Sequence, residues 1–188
     1  HGWPADASTY YQLRAIDPEQ LTAVQRAARF LYLNRFCFNG VYRTNRAGVF
    51  NVARGRHMGS VPPVDELCAF GDLMRQTEVR ACDFETLLAD VQEGDFVYLD
   101  PPYARCGVRD RGEYGPGAFK VADLPRLKDA LEEATRRGAK VLLSYADLPE
   151  IRDLFRDWQL TRLDVARNVA GFVGARASVS ELGLRNYR

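Results

Sequence analysis

The second half of the chain alternates between short apolar stretches and helical stretches, which restricts the folds available to it. Residues 96–99 (FVYL) and 139–146 (AKVLLSYA) have the almost continuous apolar character of strands buried in a parallel sheet. Between them, Asp123 precedes the helical stretch LPRLKDALEEATRR and Gly138 follows it, the usual pattern at the two ends of a helix. A strand, a helix and a second strand in this order predict an α/β sheet with parallel strands.

Further elements are predicted on either side of this unit. Residues 79–84 are expected to form a short strand, residues 85–89 a short helix, and residues 149–158 a further helix. The chain then closes with two strand-like stretches, TRLDVARN and SVSELGLRNY, joined by a connection that contains Gly171 and Gly174. This pair predicts a C-terminal β-hairpin.

The first predicted strand ends in Asp100, Pro101, Pro102 and Tyr103. Two consecutive prolines remove two backbone donors and fix two φ angles, so neither a helix nor a sheet can continue there. Ligands of open α/β sheets bind beyond the carboxyl ends of the strands, where this segment and residues 144–147 are both expected to lie. A rigid strand exit that holds a carboxylate close to an aromatic ring therefore indicates a binding site.

These four residues suit the alkylation of an exocyclic amine on a nucleobase. The lone pair of such an amine is delocalised into the ring, and two acceptors for its N–H protons favour the pyramidal geometry that exposes it. The carboxylate of Asp100 and the backbone carbonyl of Pro101 would accept these protons. Pro102 would stiffen the turn, and Tyr103 would stack on the base. Catalysis of this kind rests on positioning and requires no general base with a shifted pKa.

The charge of the chain is unevenly distributed, although its net value is only +1. Residues 21–64 contain no Asp, Glu or Lys, but they contain the arginines Arg26, Arg29, Arg35, Arg43, Arg46, Arg54 and Arg56. Such a stretch is the electrostatic footprint of a phosphate-binding surface. An ordinary basic face, or arginines paired with acids elsewhere in the fold, would produce the same composition.

The first half is predicted to be mainly helical. One helix is expected to begin at Asp17 and Pro18 and to continue to residue 35, and another is expected over residues 64–76. The segment between them is rich in aromatic residues, Asn and Arg, with a turn signal at Asn39 and Gly40. Residues 1–16 are expected to be weakly structured.

The composition fits an ordinary globular protein. The 188 residues, 46% hydrophobic and 27% charged, suffice for one core and a small subdomain. There is no long apolar run and no signal-peptide pattern, so we expect a soluble, cytoplasmic protein without a membrane partner. The four cysteines show no CxxC spacing, and neither a metal site nor a disulfide framework is expected.

The Asp-Pro-Pro-Tyr segment and its surroundings resemble the Dam-type DNA adenine methyltransferases, which use S-adenosyl-L-methionine. The motif alone is moderately specific. However, RAARFLYLNRFCFNGVYRTNRAGVFNVARGR is similar to the DNA-binding subdomain of that family almost from end to end, and ARNVAGFVGARASVSELGLRNY resembles its closing hairpin. The resemblance covers nearly the whole chain from about Tyr10 onward.

This resemblance implies both an architecture and a reaction. The architecture is an α/β Rossmann-like methyltransferase sheet with a C-terminal β-hairpin, plus a small, mainly helical DNA-binding subdomain. Residues 1–16 would be an N-terminal remnant, residues 17–75 the DNA-recognition subdomain, and residues 76–188 the C-terminal part of the catalytic domain. The reaction would transfer a methyl group to the 6-amino group of an adenine flipped out of double-stranded DNA, as in restriction-modification systems.

The resemblance also implies roles for residues around the target base and the cofactor. Asp100, Pro101, Pro102 and Tyr103 would bind the target adenine, and Asp100 would also lie near the methionine part of the cofactor. The pair formed by Asp83 and Phe84 resembles the segment that borders the adenine of the cofactor. A strand-end Asp followed by a core Phe explains that pair equally well.

The arginine-rich stretch contains the residues that the family would use on DNA. Phe38 and Asn39 match the pair that enters the duplex when the target base is flipped out, although core packing also explains Phe38. Arg43 matches the family's guanine reader, which binds its base with two hydrogen bonds in the major groove. Phosphate or groove contacts, which position the protein on DNA without selecting a base sequence, are expected of Asn45, Asn51, Arg54 and Arg56.

The sequence departs from the family in two respects. Ala53 stands where a proline is usual and His57 where a tyrosine is frequent, so no recognition sequence beyond one guanine contact is predicted. The glycine-rich cofactor segment that precedes the DNA-binding subdomain in the family has no counterpart here. We therefore expect that a missing N-terminal segment or a second chain completes the cofactor site, or that the activity has been lost.

Two other functions stay open beside DNA methylation. The chain could be a catalytically incomplete or inactive DNA-binding fragment, or it could methylate another planar nitrogen, as in a glutamine side chain or RNA. The intact motif at Asp100 argues against the first, because a binding module does not need it. The acid-free arginine stretch with Phe38, Asn39 and Gly40 argues against the second, because it suits duplex DNA.

Overall fold

The computed structural model describes residues 3–45, 47–56, 59–103, 119–166 and 178–188. These residues form two compact units that divide between residues 79 and 80, and each unit has its own cluster of buried side chains. Arg46, His57 and the predicted connection at Gly171 and Gly174 lie outside the described residues. None of the helices within the described ranges is both long and apolar enough to cross a membrane.

The first unit begins with a helix that the sequence did not predict. Helix α1 (Ala7–Ala15) starts at Asp6, whose carboxylate accepts a hydrogen bond of 2.8 Å from a backbone N–H in the first turn. Tyr10 and Leu13 are buried in the core of the unit. The expectation that residues 1–16 are weakly structured is therefore wrong over α1, because its N-terminus is capped and two of its side chains are buried.

The next helix starts later than predicted. Asp17 caps only a short 3₁₀ turn (Pro18–Gln20), and helix α2 (Ala23–Phe36) begins after Thr22. The Thr22 hydroxyl accepts a hydrogen bond from the backbone N–H of Gln25 at 3.3 Å, and the Gln25 side chain accepts one from the backbone N–H of Thr22 at 2.9 Å. This reciprocal capping box satisfies two backbone donors and so determines where the helix begins.

An irregular segment follows α2 and is held by two isolated antiparallel bridges. These bridges pair Cys37 with Arg54 and Thr44 with Phe50. Gly55 is required beside the first bridge, since a Cβ atom there would lie 2.9 Å from the carbonyl oxygen of Cys37. The segment therefore turns back on the end of α2 without forming a regular sheet.

The first unit ends with helix α3 (Val64–Met74), which follows two prolines as predicted. None of the residues of α3 is buried. The core of the unit is instead made by α1, α2 and the irregular segment, and it consists of Tyr10, Leu13, Tyr32, Leu33, Phe36, Cys37, Phe50 and Val52.

The described part of the second unit runs in the order α4 (Phe84–Ala89), β1 (Phe96–Leu99), α5 (Leu124–Arg136), β2 (Lys140–Ala146), α6 (Pro149–Leu154), β3 (Gln159–Ala166) and β4 (Ser178–Arg185). The four strands form one sheet in the order β1-β2-β4-β3. Strands β1 and β2 are parallel, whereas β4 pairs in antiparallel fashion with both β2 and β3. The predicted α/β class and the antiparallel closing pair are confirmed, and the sheet is mostly antiparallel.

Helix α5 covers the sheet with one apolar face. Its buried residues are Leu124, Leu127, Leu131 and Ala134, spaced by three or four positions. They share a core with the buried side chains of β2, including Val141 and Leu143. Burial of each leucine contributes about 1.5–3 kcal/mol, so this face determines how α5 lies on the sheet.

The prediction of a strand over residues 79–84 is wrong. Within the described chain, residues 79–82 pair with no strand, and Asp83 is the N-cap of α4. The carboxylate of Asp83 accepts a hydrogen bond of 3.0 Å from the backbone N–H of Glu85. The capping signal of Asp83 thus outweighs the weak strand pattern before it.

Candidate active site

The Asp-Pro-Pro-Tyr segment leaves the sheet at the carboxyl end of β1. In the parallel pair formed by β1 and β2, Leu99 lies opposite Leu143. The next residues along the two strands are Asp100 and Ser144, which are therefore neighbours at the same edge of the sheet. The topology thus brings a carboxylate and a hydroxyl together from positions far apart in the sequence.

One oxygen of the Asp100 carboxylate is held by two hydroxyl groups. Oδ1 accepts a hydrogen bond from Ser144 Oγ at 2.6 Å and another from the Tyr103 hydroxyl at 3.3 Å. The shorter bond has the length expected when a hydroxyl donates to an ionised carboxylate. Asp100 is exposed, and Oδ2 accepts no hydrogen bond from any residue in the described part of the chain.

Ser144 is itself hydrogen-bonded to a neighbouring residue of β1. The Tyr98 hydroxyl lies 3.3 Å from Ser144 Oγ, and the carbonyl oxygen of Leu99 lies at the same distance. Ser144 has only one proton, which is best placed on the contact of 2.6 Å with Asp100. Tyr98 then donates to Ser144, which donates to Asp100.

Tyr103 is half-buried and packs against the core of the second unit. Its ring centroid lies 5.1 Å from that of Tyr145, with 38° between the ring planes. Burial raises the pKa of the Tyr103 hydroxyl to about 12. The hydroxyl therefore stays protonated at neutral pH and can donate to Asp100, while Pro101 and Pro102 beside it are half-buried.

The predicted cofactor pair, Asp83 and Phe84, makes contacts that link α4 to α5. The guanidinium of Arg126 lies 3.0 Å from Asp83 Oδ1 and 2.7 Å from Glu85 Oε2, and it also lies 4.9 Å from the ring centroid of Phe84. Asp123 forms a further ion pair of 2.9 Å with the same group. These contacts account for Asp83 and Phe84 structurally, and their cofactor role stays a prediction.

The first unit presents Phe38 on a turn. Asn39 and Gly40 have φ values of +54° and +64°, which Gly adopts readily and Asn adopts more often than most other residues. Phe38 is 51% exposed, so core packing does not account for it. The turn thus displays an aromatic ring at a position determined by the backbone.

Two predicted DNA contacts are paired with each other, and a third shapes the loop between them. Arg43 Nε donates a hydrogen bond of 3.3 Å to Asn51 Oδ1, and both side chains are exposed. Asn45 Oδ1 accepts hydrogen bonds from the backbone N–H groups of Ala47 and Val49 at 2.9 and 3.0 Å. Asn45 therefore stabilises the loop, and Asn51 orients Arg43.

The remaining arginines of the acid-free stretch divide into two groups. Arg29, Arg35 and Arg54 donate to backbone carbonyls, and the buried Arg29 binds the last carbonyls of α1, those of Leu13 and Arg14. Arg26 and Arg56 are exposed, and their side chains make no hydrogen bond or ion pair with the described residues. Part of the predicted phosphate-binding charge therefore stabilises the fold.

The family to which the chain belongs follows from comparison with known proteins. The model of the D12 class N6 adenine-specific DNA methyltransferases matches residues 3–169. The chain belongs to this family. The predicted resemblance to Dam-type adenine methyltransferases is thereby confirmed.

Individual relatives agree with the D12 family. The DNA N-6-adenine-methyltransferase of Escherichia phage P1 is 39% identical over 135 residues, which are 71% of this chain and 18% of the phage protein. The type II methyltransferase M1.LlaDCHI of Lactococcus lactis subsp. cremoris is 30% identical over 95% of this chain and 66% of its own length. The DNA adenine methylase of Escherichia coli K12 is 30% identical over 94% of this chain and 64% of its own length. The chain thus spans less than two thirds of each relative.

Sequence reasoning missed the contacts that hold Asp100 in this D12-family chain. It placed residues 144–147 at the same edge of the sheet as Asp100 but gave them no role. The signal that could have found Ser144 is the strand register, since both segments are expected to end side by side in a parallel pair. Tyr98 would have required knowledge of which face of β1 lies toward Ser144.

Proposed function

We propose that this chain is the part of a DNA adenine methyltransferase that binds the target adenine and the DNA around it. The reaction transfers a methyl group from S-adenosyl-L-methionine to the 6-amino group of an adenine flipped out of double-stranded DNA. The observation that carries the proposal is the arrangement at the end of β1. One oxygen of Asp100 is fixed by two hydroxyls, the other accepts no hydrogen bond from the described residues, and an aromatic ring lies beside them.

In this mechanism the chain acts mainly by positioning. Asp100 Oδ2 accepts one N–H of the adenine amine and the carbonyl of Pro101 accepts the other, so the nitrogen lone pair is exposed. Tyr103 stacks on the base and fixes its plane. When bound, S-adenosyl-L-methionine supplies an electrophilic methyl carbon. The proton released from the amine passes to Asp100 Oδ2, which accepts no hydrogen bond from the described residues.

The residues described here fit part of a cofactor site. Asp100 offers a carboxylate that could also accept from the ammonium group of the methionine moiety. Asp83 and Phe84 fit less well, because Arg126 already binds the carboxylate and covers the ring. We infer that the remaining cofactor contacts come from a region of the relatives that this sequence does not match, on the same polypeptide or on a second chain.

The proposal assigns DNA recognition to residues 17–75 and catalysis to residues 76–188, as parts of a Rossmann-like methyltransferase. Phe38, exposed on its turn, enters the duplex with Asn39 as the target base leaves it. Arg43 reads a guanine in the major groove. Arg56 contacts phosphate, which its exposure and lack of a described partner support.

The test combines the purified chain with methyl-labelled S-adenosyl-L-methionine and mixed-sequence duplex DNA, followed by mass spectrometry of the nucleosides. A second reaction adds the unmatched region of the Lactococcus lactis relative in trans. We expect labelled 6-methyladenine in at least one reaction and none with the Asp100→Ala variant. Salt-sensitive DNA binding without product in either reaction would instead support the DNA-binding fragment. Label on RNA or protein, in parallel reactions that contain these acceptors, would support methylation of another planar nitrogen.

A further inference from the structure

We propose that Ser144 is a positioning residue that fixes the carboxylate of Asp100 for methyl transfer, with Tyr98 supporting it. The inference rests on the proposed function for the identity of the reacting group. It concerns a residue to which neither the motif nor the family assignment gives a role. Its basis is the hydrogen bond of 2.6 Å from Ser144 Oγ to Asp100 Oδ1.

The sequence after Asp100 explains why the carboxylate needs a partner from another strand. The side chain of an Asp in a turn commonly accepts a hydrogen bond from the backbone N–H two residues on. Here the next two residues are Pro101 and Pro102, and proline has no N–H. The motif that makes this strand exit rigid therefore removes the two nearest backbone donors that could orient its own carboxylate.

Ser144 replaces those missing donors. It follows Leu143 on β2, which is paired in register with Leu99, so its backbone is fixed relative to Asp100 by the sheet. A serine side chain has one χ angle, and the Tyr98 hydroxyl restricts the Ser144 hydroxyl from the other side. Oδ1 is thereby held, and the position of Oδ2 follows from the geometry of the carboxylate.

The position of Oδ2 matters because the reaction depends on alignment. Oδ2 must meet an N–H of the adenine amine while the lone pair points along the line of transfer. Displacement of a reacting group by about 1 Å can cost about 100-fold in rate. Among the described residues, loss of Ser144 Oγ would leave Asp100 held by the longer hydrogen bond from Tyr103 at 3.3 Å.

The chain offers a rescue variant and a matched control. Ser144→Ala removes the hydroxyl, whereas Ser144→Thr keeps it, and the residue opposite on β4 is Gly183, which leaves room for a methyl group. Ser180→Ala removes another serine donor from the same sheet, since Ser180 Oγ lies 3.1 Å from Asp147 Oδ2. That control removes a similar contact without touching Asp100.

The experiment measures single-turnover methyl transfer to duplex DNA, DNA affinity and thermal stability, under the condition in which the wild-type chain is active. We expect Ser144→Ala to lower the transfer rate about 10- to 100-fold, with DNA affinity and melting temperature close to wild type. Ser144→Thr should transfer the methyl group at a rate within a few fold of wild type, and Ser180→Ala should transfer it at nearly the wild-type rate. An unchanged rate in Ser144→Ala, or an equal loss in Ser180→Ala, would overturn the proposal.

A structural readout separates this inference from the proposed function. A crystal structure of the wild type should show the Asp100 carboxylate in one orientation. A crystal structure of Ser144→Ala should show it in a different orientation or in several orientations. An unchanged carboxylate in the variant would refute positioning by Ser144 whatever the activity. If Asp100 moves but the wild type methylates no adenine, the positioning role stands and the proposed reaction fails.

Discussion

Asp100 and Arg43 are both exposed residues expected to touch a nucleobase, but the chain holds them in different ways. Asp100 is held by Ser144, which lies on a neighbouring strand far away in sequence, and by the ring hydroxyl of Tyr103. Arg43 is held by Asn51 within one exposed loop. The first arrangement is determined by a sheet with a large buried core, and the second by a short local segment.

This difference matches the two tasks that we propose. Methyl transfer tolerates little displacement of the groups that hold the amine, so its carboxylate belongs on the most rigid part of the fold. A long arginine that must find a guanine edge benefits from freedom at its end, and among the described residues only the Nε of Arg43 has a partner. Removal of Asp100 should therefore affect rate, and removal of Arg43 should affect choice of sequence.

The largest effect is expected for Asp100→Ala. Loss of the carboxylate removes an acceptor for the adenine amine, and we expect methyl transfer to fall by about 10²- to 10³-fold or more. DNA affinity should stay within a few fold of wild type, because a carboxylate contributes nothing favourable to phosphate binding. Single-turnover kinetics measures the transfer rate, and equilibrium binding measures the DNA affinity. A large loss of affinity with unchanged transfer on bound DNA would contradict the assigned role.

A smaller effect, and one of a different kind, is expected for Arg43→Ala. Loss of a bidentate guanine contact should cost about 1–3 kcal/mol on the preferred sequence and relax the preference at one base pair. Arg56→Ala is the matched control, since it removes an exposed arginine with no described partner. It should weaken all sequences alike and reduce the salt dependence of binding. Competition binding over a randomised duplex distinguishes these results, and uniform weakening by Arg43→Ala would make Arg43 a phosphate contact.

Substitution of Asn51 should lower guanine preference in the same way as Arg43→Ala, but by less. Asn51→Ala frees the guanidinium of Arg43, and loss of one exposed hydrogen bond should lower guanine preference by a few fold, about 0.5–1.5 kcal/mol. Asn51→Asp keeps an acceptor for Arg43 Nε and should retain the preference. If Asn51 instead contacts phosphate, the Asp variant should bind every sequence more weakly, because a carboxylate repels phosphate. The same competition assay measures both outcomes.

Helices and strands could be predicted from the sequence where the local signals agreed. The predictions failed where a contact formed only in the fold determined the structure. Helix α5, with regular leucine spacing, and strand β2 could be predicted, because the periodicity that identifies them is also what buries them. The start of α2 was wrong, because capping by Thr22 and Gln25 prevailed over a second plausible cap at Asp17. Helix α1 was missed, since only its contacts in the folded unit show that Tyr10 is buried.

The candidate site was predictable to a similar extent. The Asp-Pro-Pro-Tyr segment could be found because its prolines and carboxylate are adjacent in sequence. The contribution of Ser144 depends on the register that places it directly beside Asp100, and sequence reasoning assigned the shared edge of the sheet but not this register. In the arginine-rich stretch, charge alone could not separate Arg29, which binds the end of α1, from Arg56, which is exposed. Their different partners appear only once the chain is folded.

The smallest effect is expected for Tyr103→Phe, and it tests how far Asp100 depends on its second hydroxyl partner. The variant keeps the ring that would stack on adenine and loses the hydrogen bond of 3.3 Å to Asp100, so transfer should fall by only a few fold. Because burial raises the pKa of Tyr103 from 10.0 to about 12, its hydroxyl stays protonated until strongly alkaline pH. The ratio of wild-type to variant rates should therefore stay constant between about pH 7 and pH 9, as single-turnover rates would show. A ratio that falls toward 1 in that range would mean that Tyr103 loses its proton there. If Tyr103→Phe lowers the transfer rate as much as Ser144→Ala does, the two hydroxyls contribute equally to the positioning of Asp100.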